Sequence, residues 1–139
     1  MRLFIDANVI VAVLNKQYPL FPYAARILSL SESSRFKIYT SPICLAIAFY
    51  FAEKKSGTLQ ARKKIDLLSE KLDITTTDRE TVQSTIQNRA IHDFEDGLEY
   101  YAARQSSCDI IVSEDLSDFY FSEIPVHTCE SFFKEVFRA

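Results

Sequence analysis

Apolar residues recur along this chain in short bursts, each followed by a longer stretch in which they return at helical spacing. Leu3 to Ile5 is too short a run for a helix and reads as a strand; Asp6-Ala7-Asn8 directly behind it is a helix-initiating group ahead of a Val-Ile-Val-Ala-Val-Leu run. Tyr23 to Leu30 carries helical spacing, and Phe36 to Tyr39 is a second strand of aromatic and β-branched residues. Ser41-Pro42 pairs an N-cap with proline at the first helical position and opens a largely apolar helix that runs to about Lys55. Ala61 to Leu72 is amphipathic with a basic polar face, Leu72 to Thr75 reads as a third strand, and Asp78 caps a helix reaching about Asn88. Asp93 to Gln105 forms a further helix, Cys108 to Val112 a buried strand, Ile124 to His127 a last strand, and Cys129 to Arg138 a closing helix. Strands alternating with helices predict an α/β domain with a mostly parallel sheet covered on both faces. In such sheets the residues just past the carboxyl ends of the strands form the natural site.

Composition narrows this picture. Only two glycines and four prolines occur, too little punctuation for an all-β chain, and no repeats or low-complexity tracts interrupt the pattern. A length of 139 residues, 47% hydrophobic, suits one compact domain over residues 1–139 and is short for two. No apolar run approaches the roughly 20 residues of a membrane span. The apolar N-terminal stretch contains Asp6 and lacks a small-residue cleavage site, so a soluble, cytoplasmic protein without membrane association is expected. Three cysteines at wide spacing, Cys44, Cys108 and Cys129, fit neither a disulfide framework nor a zinc site and read as buried thiols. The net charge of −3 contrasts with the basic balance of a simple nucleic-acid binder, although acids gathered around divalent ions would have their charge largely offset.

The acids are where chemistry concentrates. Asp6 follows the first strand, expected at the centre of the sheet; Asp93 and Asp96 share one face at a helix start, with Glu95 pointing elsewhere; and Asp115 and Asp118 follow the buried strand ending at Val112. Each group alone is explained by helix capping and the helix dipole. Three acidic groups on one edge of a parallel sheet are harder to explain that way, and hard oxygen ligands suit Mg²⁺ or Mn²⁺.

The opening RLFIDANV, the block HDFEDGLEYYAARQSSCDIIVSEDLSDF and the ending IPVHTCESF closely resemble the PIN-domain family, particularly its VapC-type toxin branch. The resemblance spans essentially the whole chain. It implies a three-layer α/β/α sandwich around a five-stranded, mostly parallel sheet, and Mg²⁺- or Mn²⁺-dependent cleavage of RNA by a toxin held by an antitoxin protein, with pairing into a homodimer left open. Carried over by position, Asp6, Asp96 and Asp115 match the catalytic, metal-binding acids. Asp93 and Asp118 are further candidate ligands, Asn8 matches a polar residue beside the first acid, and Ser113 matches the hydroxyl that orients the last.

One departure stands out. Active members carry a Glu on the helix after the second strand, and here that position falls on Ala46 or Ile47. Glu53 lies six or seven residues on, about 10 Å along the helix, too far to substitute. Weak metal binding is therefore expected, and the competing function is a PIN fold that binds protein or RNA without cleaving it. The densest basic stretch, Lys54, Lys55, Arg62, Lys63, Lys64 and Lys71, would contact RNA phosphates or an acidic antitoxin segment, or else form a solvated face. His92 and His127 show no ligand spacing and read as structural. A dehalogenase-like phosphatase would need Asp where Asn8 stands, and a receiver domain an adjacent acidic pair with a late Thr and Lys; neither pattern fits.

Overall fold

Leu3, Phe4 and Ile5 are wholly buried, as a strand covered on both faces requires. They belong to β1 (Arg2–Ile5), the middle strand of a five-stranded sheet in a computed structural model that describes residues 1–137. The strand order is β3-β2-β1-β4-β5, with β2 (Lys37–Thr40), β3 (Asp73–Ile74), β4 (Ile110–Val112) and β5 (Val126–His127). Every pairing is parallel; Leu3 sits opposite Ile38 on one side and Ile110 on the other. The carboxyl ends of β1 and β4 are therefore neighbours, and Asp6 N donates to Val112 O at 3.0 Å just beyond them.

Helices α1 (Ala7–Leu14), α2 (Phe21–Ser29), α3 (Pro42–Ser69), α4 (Arg79–Gln87) and α5 (Phe94–Gln105) connect the strands, and the short α6 (Cys129–Ser131) follows β5. The expected caps form: Ser41 accepts from Cys44 N, Asp78 and Thr81 make a reciprocal capping box, and Asp93 accepts from Asp96 N. The two helices expected between Ser41 and Leu72 run as one broken element. Gly57, at φ 84° and ψ 165°, breaks it in a conformation open to glycine alone.

Two expectations change in extent. The third strand shrinks to Asp73–Ile74, which pair with Tyr39 and Thr40 at the carboxyl end of β2. The closing helix is α-helical only over α6 and then widens into a π-turn over Phe132–Val136. The extra residue per turn lets both Phe132 and Phe137 reach Phe36, with ring centroids 6.3 and 6.0 Å away. Arg138, the expected end of that helix, lies outside the described residues. Cys44, Cys108 and Cys129 are buried free thiols, and no helix among the described residues is long and apolar enough to cross a membrane.

Candidate metal centre

Asp6 leaves β1 and caps α1, its Oδ1 accepting from Ala7 N at 2.6 Å. Its other oxygen accepts from the hydroxyl of Ser113, which leaves β4, at 2.7 Å. Ser113 Oγ also accepts from Asp115 N at 3.1 Å, so one buried hydroxyl ties the first acid to the turn that carries the last. Asn8 reinforces the link: Nδ2 lies 3.2 Å from Ser113 Oγ and 3.4 Å from Asp115 Oδ2, while Oδ1 accepts from Glu114 N at 3.3 Å.

These groups open onto one cleft of about 330 Å³, lined among others by Asp6, Asn8, Asp96, Asp115 and Asp118. Five expected site residues thus meet at the carboxyl edge of the sheet. Asp93 does not line it; it serves as the α5 N-cap. Glu95, expected to point elsewhere, does line it, because α5 begins at the cleft and its first turn offers more than one direction to the cavity.

Crowding marks the electrostatics. Asp96 is pushed up to about 7, chiefly by burial and then by Asp93, Asp118, Asp6 and Glu95. Burial, with Asp115 and then Asp6 and Asp93, also raises Asp118, and burial with Asp93 and Asp6 raises Glu95. A cluster of hard oxygen donors whose charges repel one another is relieved by a small divalent cation, so the residues present fit Mg²⁺ or Mn²⁺.

The helix acid is absent where expected. Ile47 lines the cleft at that position, Ala46 is exposed, and Glu53 instead accepts from Thr58 Oγ1 beside the Gly57 break. Behind the cleft lies an acid that the sequence reading passed over: Glu99, 1% exposed, accepts from Cys44 Sγ at 2.7 Å. Candidate ligand atoms of Asp6, Cys44 and Glu99 lie within 4.8 Å of one another. Glu99 stands three residues after Asp96, on the same face of α5, and that spacing was the available signal.

The basic stretch divides by task. Lys55 Nζ donates to Asn15 O, and Lys64 Nζ to Leu14 O at 3.0 Å and Ser56 Oγ, so both tie the end of α1 to α3. Lys71 pairs with Glu32 at 3.7 Å. Lys54 sits over the exposed ring of Tyr50, and Arg62 and Lys63 are exposed. His92 stacks on Tyr120, His127 contacts Ser131 and Glu135, and neither histidine lines the cleft.

The sequence profile described as PIN domain matches residues 2–117. Ribonuclease VapC1 of Aquifex aeolicus (strain VF5) is 25% identical over 138 residues, covering 94% of this chain and 92% of that protein. Solved structures share the fold, among them the following two. VapBC2 from Rickettsia felis, bound to a DNA fragment from their promoter, aligns with a TM-score of 0.69 at 19% identity, covering 91% of this chain and 97% of that one. VapBC-1 from nontypeable Haemophilus influenzae aligns with a TM-score of 0.68 at 15% identity, covering 94% and 99%.

Proposed function

Because the chain belongs to the PIN domain family, we propose that its acid-lined cleft is the active site of a divalent-metal-dependent endoribonuclease, the toxin of a toxin–antitoxin pair. One observation carries this reading: Asp6, Asp96, Asp115 and Asp118, from three separate stretches of chain, line a single cleft with Asn8. The similarity to a ribonuclease along almost the whole chain supports RNA as substrate.

In this reading Asp6, Asp96 and Asp115 hold Mg²⁺ or Mn²⁺, with Asp118 and Glu95 at the rim. The bound ion supplies an acidified water and charge stabilisation at the leaving oxygen of the phosphodiester. The chain's own part is orientation. Ser113 and Asn8 keep the Asp6 and Asp115 carboxyl groups turned into the same space, and Asp93, by capping α5, fixes the turn that presents Asp96. The antitoxin is a protein partner, in keeping with the likeness to VapBC structures.

Ile47 favours a second reading, a PIN fold that binds RNA or protein without cleaving it, because an apolar residue occupies the place of a usual acid. Calorimetric titration of the purified protein with Mn²⁺, run beside cleavage of total RNA, separates the two. Mn²⁺ binding with metal-dependent cleavage is expected; binding of RNA with neither would leave the second reading standing.

A further inference from the structure

The cleft has two kinds of lining, and the proposed reaction uses only the acids. Val11 of α1, with Ile47 and Phe51 of α3, lines the same space. Ile47 and Phe51 are four residues apart and share one face of their helix. The Phe51 ring is 45% exposed, and the neighbouring Tyr50 ring is 51% exposed. The two meet edge to face, with centroids 5.3 Å apart and planes at 79°. Lys54 Nζ lies 4.8 Å from the Tyr50 centroid. This turn of α3 is fixed in place from α1: Asn15 Nδ2 donates to Phe51 O at 3.3 Å, and Lys55 Nζ donates to Asn15 O. Exposed aromatic rings on a rigid element, beside a site for charged oxygens, need a ligand that is anionic at one end and flat and apolar at the other.

We propose that Phe51, braced edge-on by Tyr50, is the platform on which an unpaired RNA base beside the scissile phosphate stacks, so that the cleft takes single strands and loops in preference to duplex. This rests on the reading of the cleft as an RNA-cleaving site and specifies the form of its substrate. A nucleotide carries both required parts, the phosphate for the cation and the base for the ring. Its base offers a π-face only when it is unpaired and splayed out, whereas an A-form duplex presents ribose and phosphate with its bases stacked inside. Two observations favour RNA over a protein at these rings. Phe51 is continuous with the acid-lined space, and Lys54, one turn beyond Tyr50, complements the phosphate of a strand leaving it.

The test measures fluorescence anisotropy of a short labelled RNA of mixed sequence, offered as a single strand, as a duplex, and as a strand with abasic sites that keeps its phosphates. Each measurement uses an Asp6→Asn parent with Mn²⁺ present, so that the strand survives. The parent should bind the single strand about tenfold or more tightly than the abasic strand, and more tightly than the duplex. Adding Phe51→Ala should bring the single-strand affinity down to that of the abasic strand, whereas Phe51→Tyr should stay within about twofold of the parent. The half-exposed ring and the main-chain anchor from Asn15 leave folding intact, which melting curves check. If Phe51→Ala does not fold, Phe51→Leu, which keeps bulk without a π-face, takes its place. Equal affinity of the parent for single and abasic strands would overturn the proposal, as would an unchanged preference in Phe51→Ala. A Phe51→Ala variant that changes only its oligomeric state on size exclusion would assign the rings to a protein contact and overturn it too. If the parent binds neither strand, the proposal falls, and cleavage of the same strand by wild type with Mn²⁺ decides whether the nuclease reading falls with it.

Discussion

Ser113 illustrates how much of the cleft depends on single atoms. Its hydroxyl is wholly buried, donates to Asp6 and accepts from Asp115 N, and no neighbouring group duplicates both bonds. Ser113→Ala should weaken Mn²⁺ binding about tenfold, as loss of an outer-shell partner commonly does. It should cost about 1–2 kcal/mol in urea unfolding through the bonds left unmade. Asp6→Asn makes the complementary case. It should abolish RNA cleavage while leaving metal-free stability unchanged or higher, because it removes one charge from a set that raises Asp96 and Asp118. Equal cleavage by wild type and Asp6→Asn would refute the role given to Asp6. At this scale Asp6, Asp96 and Asp115 were legible in the sequence because each sits at the end of a strand or the start of a helix. Glu99 was not, since its meaning depends on Cys44, 55 positions away, whose thiol also read as plain core. The misjudged direction of Glu95 has a local cause: spacing defines a helix face, but not which face meets a cavity at the helix's own first turn.

Between elements, the two glycines show what the pattern could and could not convey. Gly57 breaks α3 with φ 84°, and a Cβ there would meet nothing within 4 Å, so the requirement is one of backbone alone. The sequence pattern located both halves of that helix but not their continuity. Gly97 is required for the opposite reason. A Cβ would lie 2.4 Å from Thr85 Cγ2 and 2.9 Å from Ile91 Cγ2, so α5 approaches α4 as closely as it does only because that residue has no side chain. Gly97→Ala should destabilise by about 1–3 kcal/mol from overpacking. Because Asp96 is the adjacent residue, it should also weaken Mn²⁺ binding, which calorimetry would read. The lysines divide along the same lines. Lys64→Ala should lower stability by about 1 kcal/mol, since Lys64 serves the unpaired carbonyl of Leu14 at the end of α1. Exposed Lys54, Arg62 and Lys63 should be dispensable for folding; replacing all three by Ala should weaken RNA binding and flatten its salt dependence if they meet phosphates. The basic character of this stretch was plain from sequence, but its division of labour was not, because which lysines reach the end of α1 is decided by how α1 packs on α3.

Across the whole molecule, the cleft sets how stability responds to pH and metal. Asp96 titrates near 7 in the folded chain against an ordinary value of 3.8, so between those values the folded state holds a proton that the unfolded chain does not. Stability without metal therefore falls as pH rises through that window, and the full penalty is reached above about 7. Glu95 and Asp118, raised by the same crowding, act in the same direction, as does Glu99. Asp78 and Glu130, lowered by their helix-cap and lysine partners, act oppositely, but their window lies below their ordinary values of 3.8 and 4.5 and leaves the neutral range untouched. The metal-free protein should accordingly melt at a higher temperature near about pH 5.5 than near about pH 8. Mn²⁺ should reverse that order, because protons and the ion compete for the same carboxylates, and binding to the folded state alone stabilises it by about 2.7 kcal/mol at a hundredfold excess over Kd. Melting curves at the two pH values, each with and without Mn²⁺, measure both effects in one experiment. A metal-induced rise that is larger at the alkaline pH supports a working cation site in the acid cleft. If Mn²⁺ leaves the melting temperature unmoved at both, the acids are crowded without the ion that would relieve them, and the fold serves as a binding module instead.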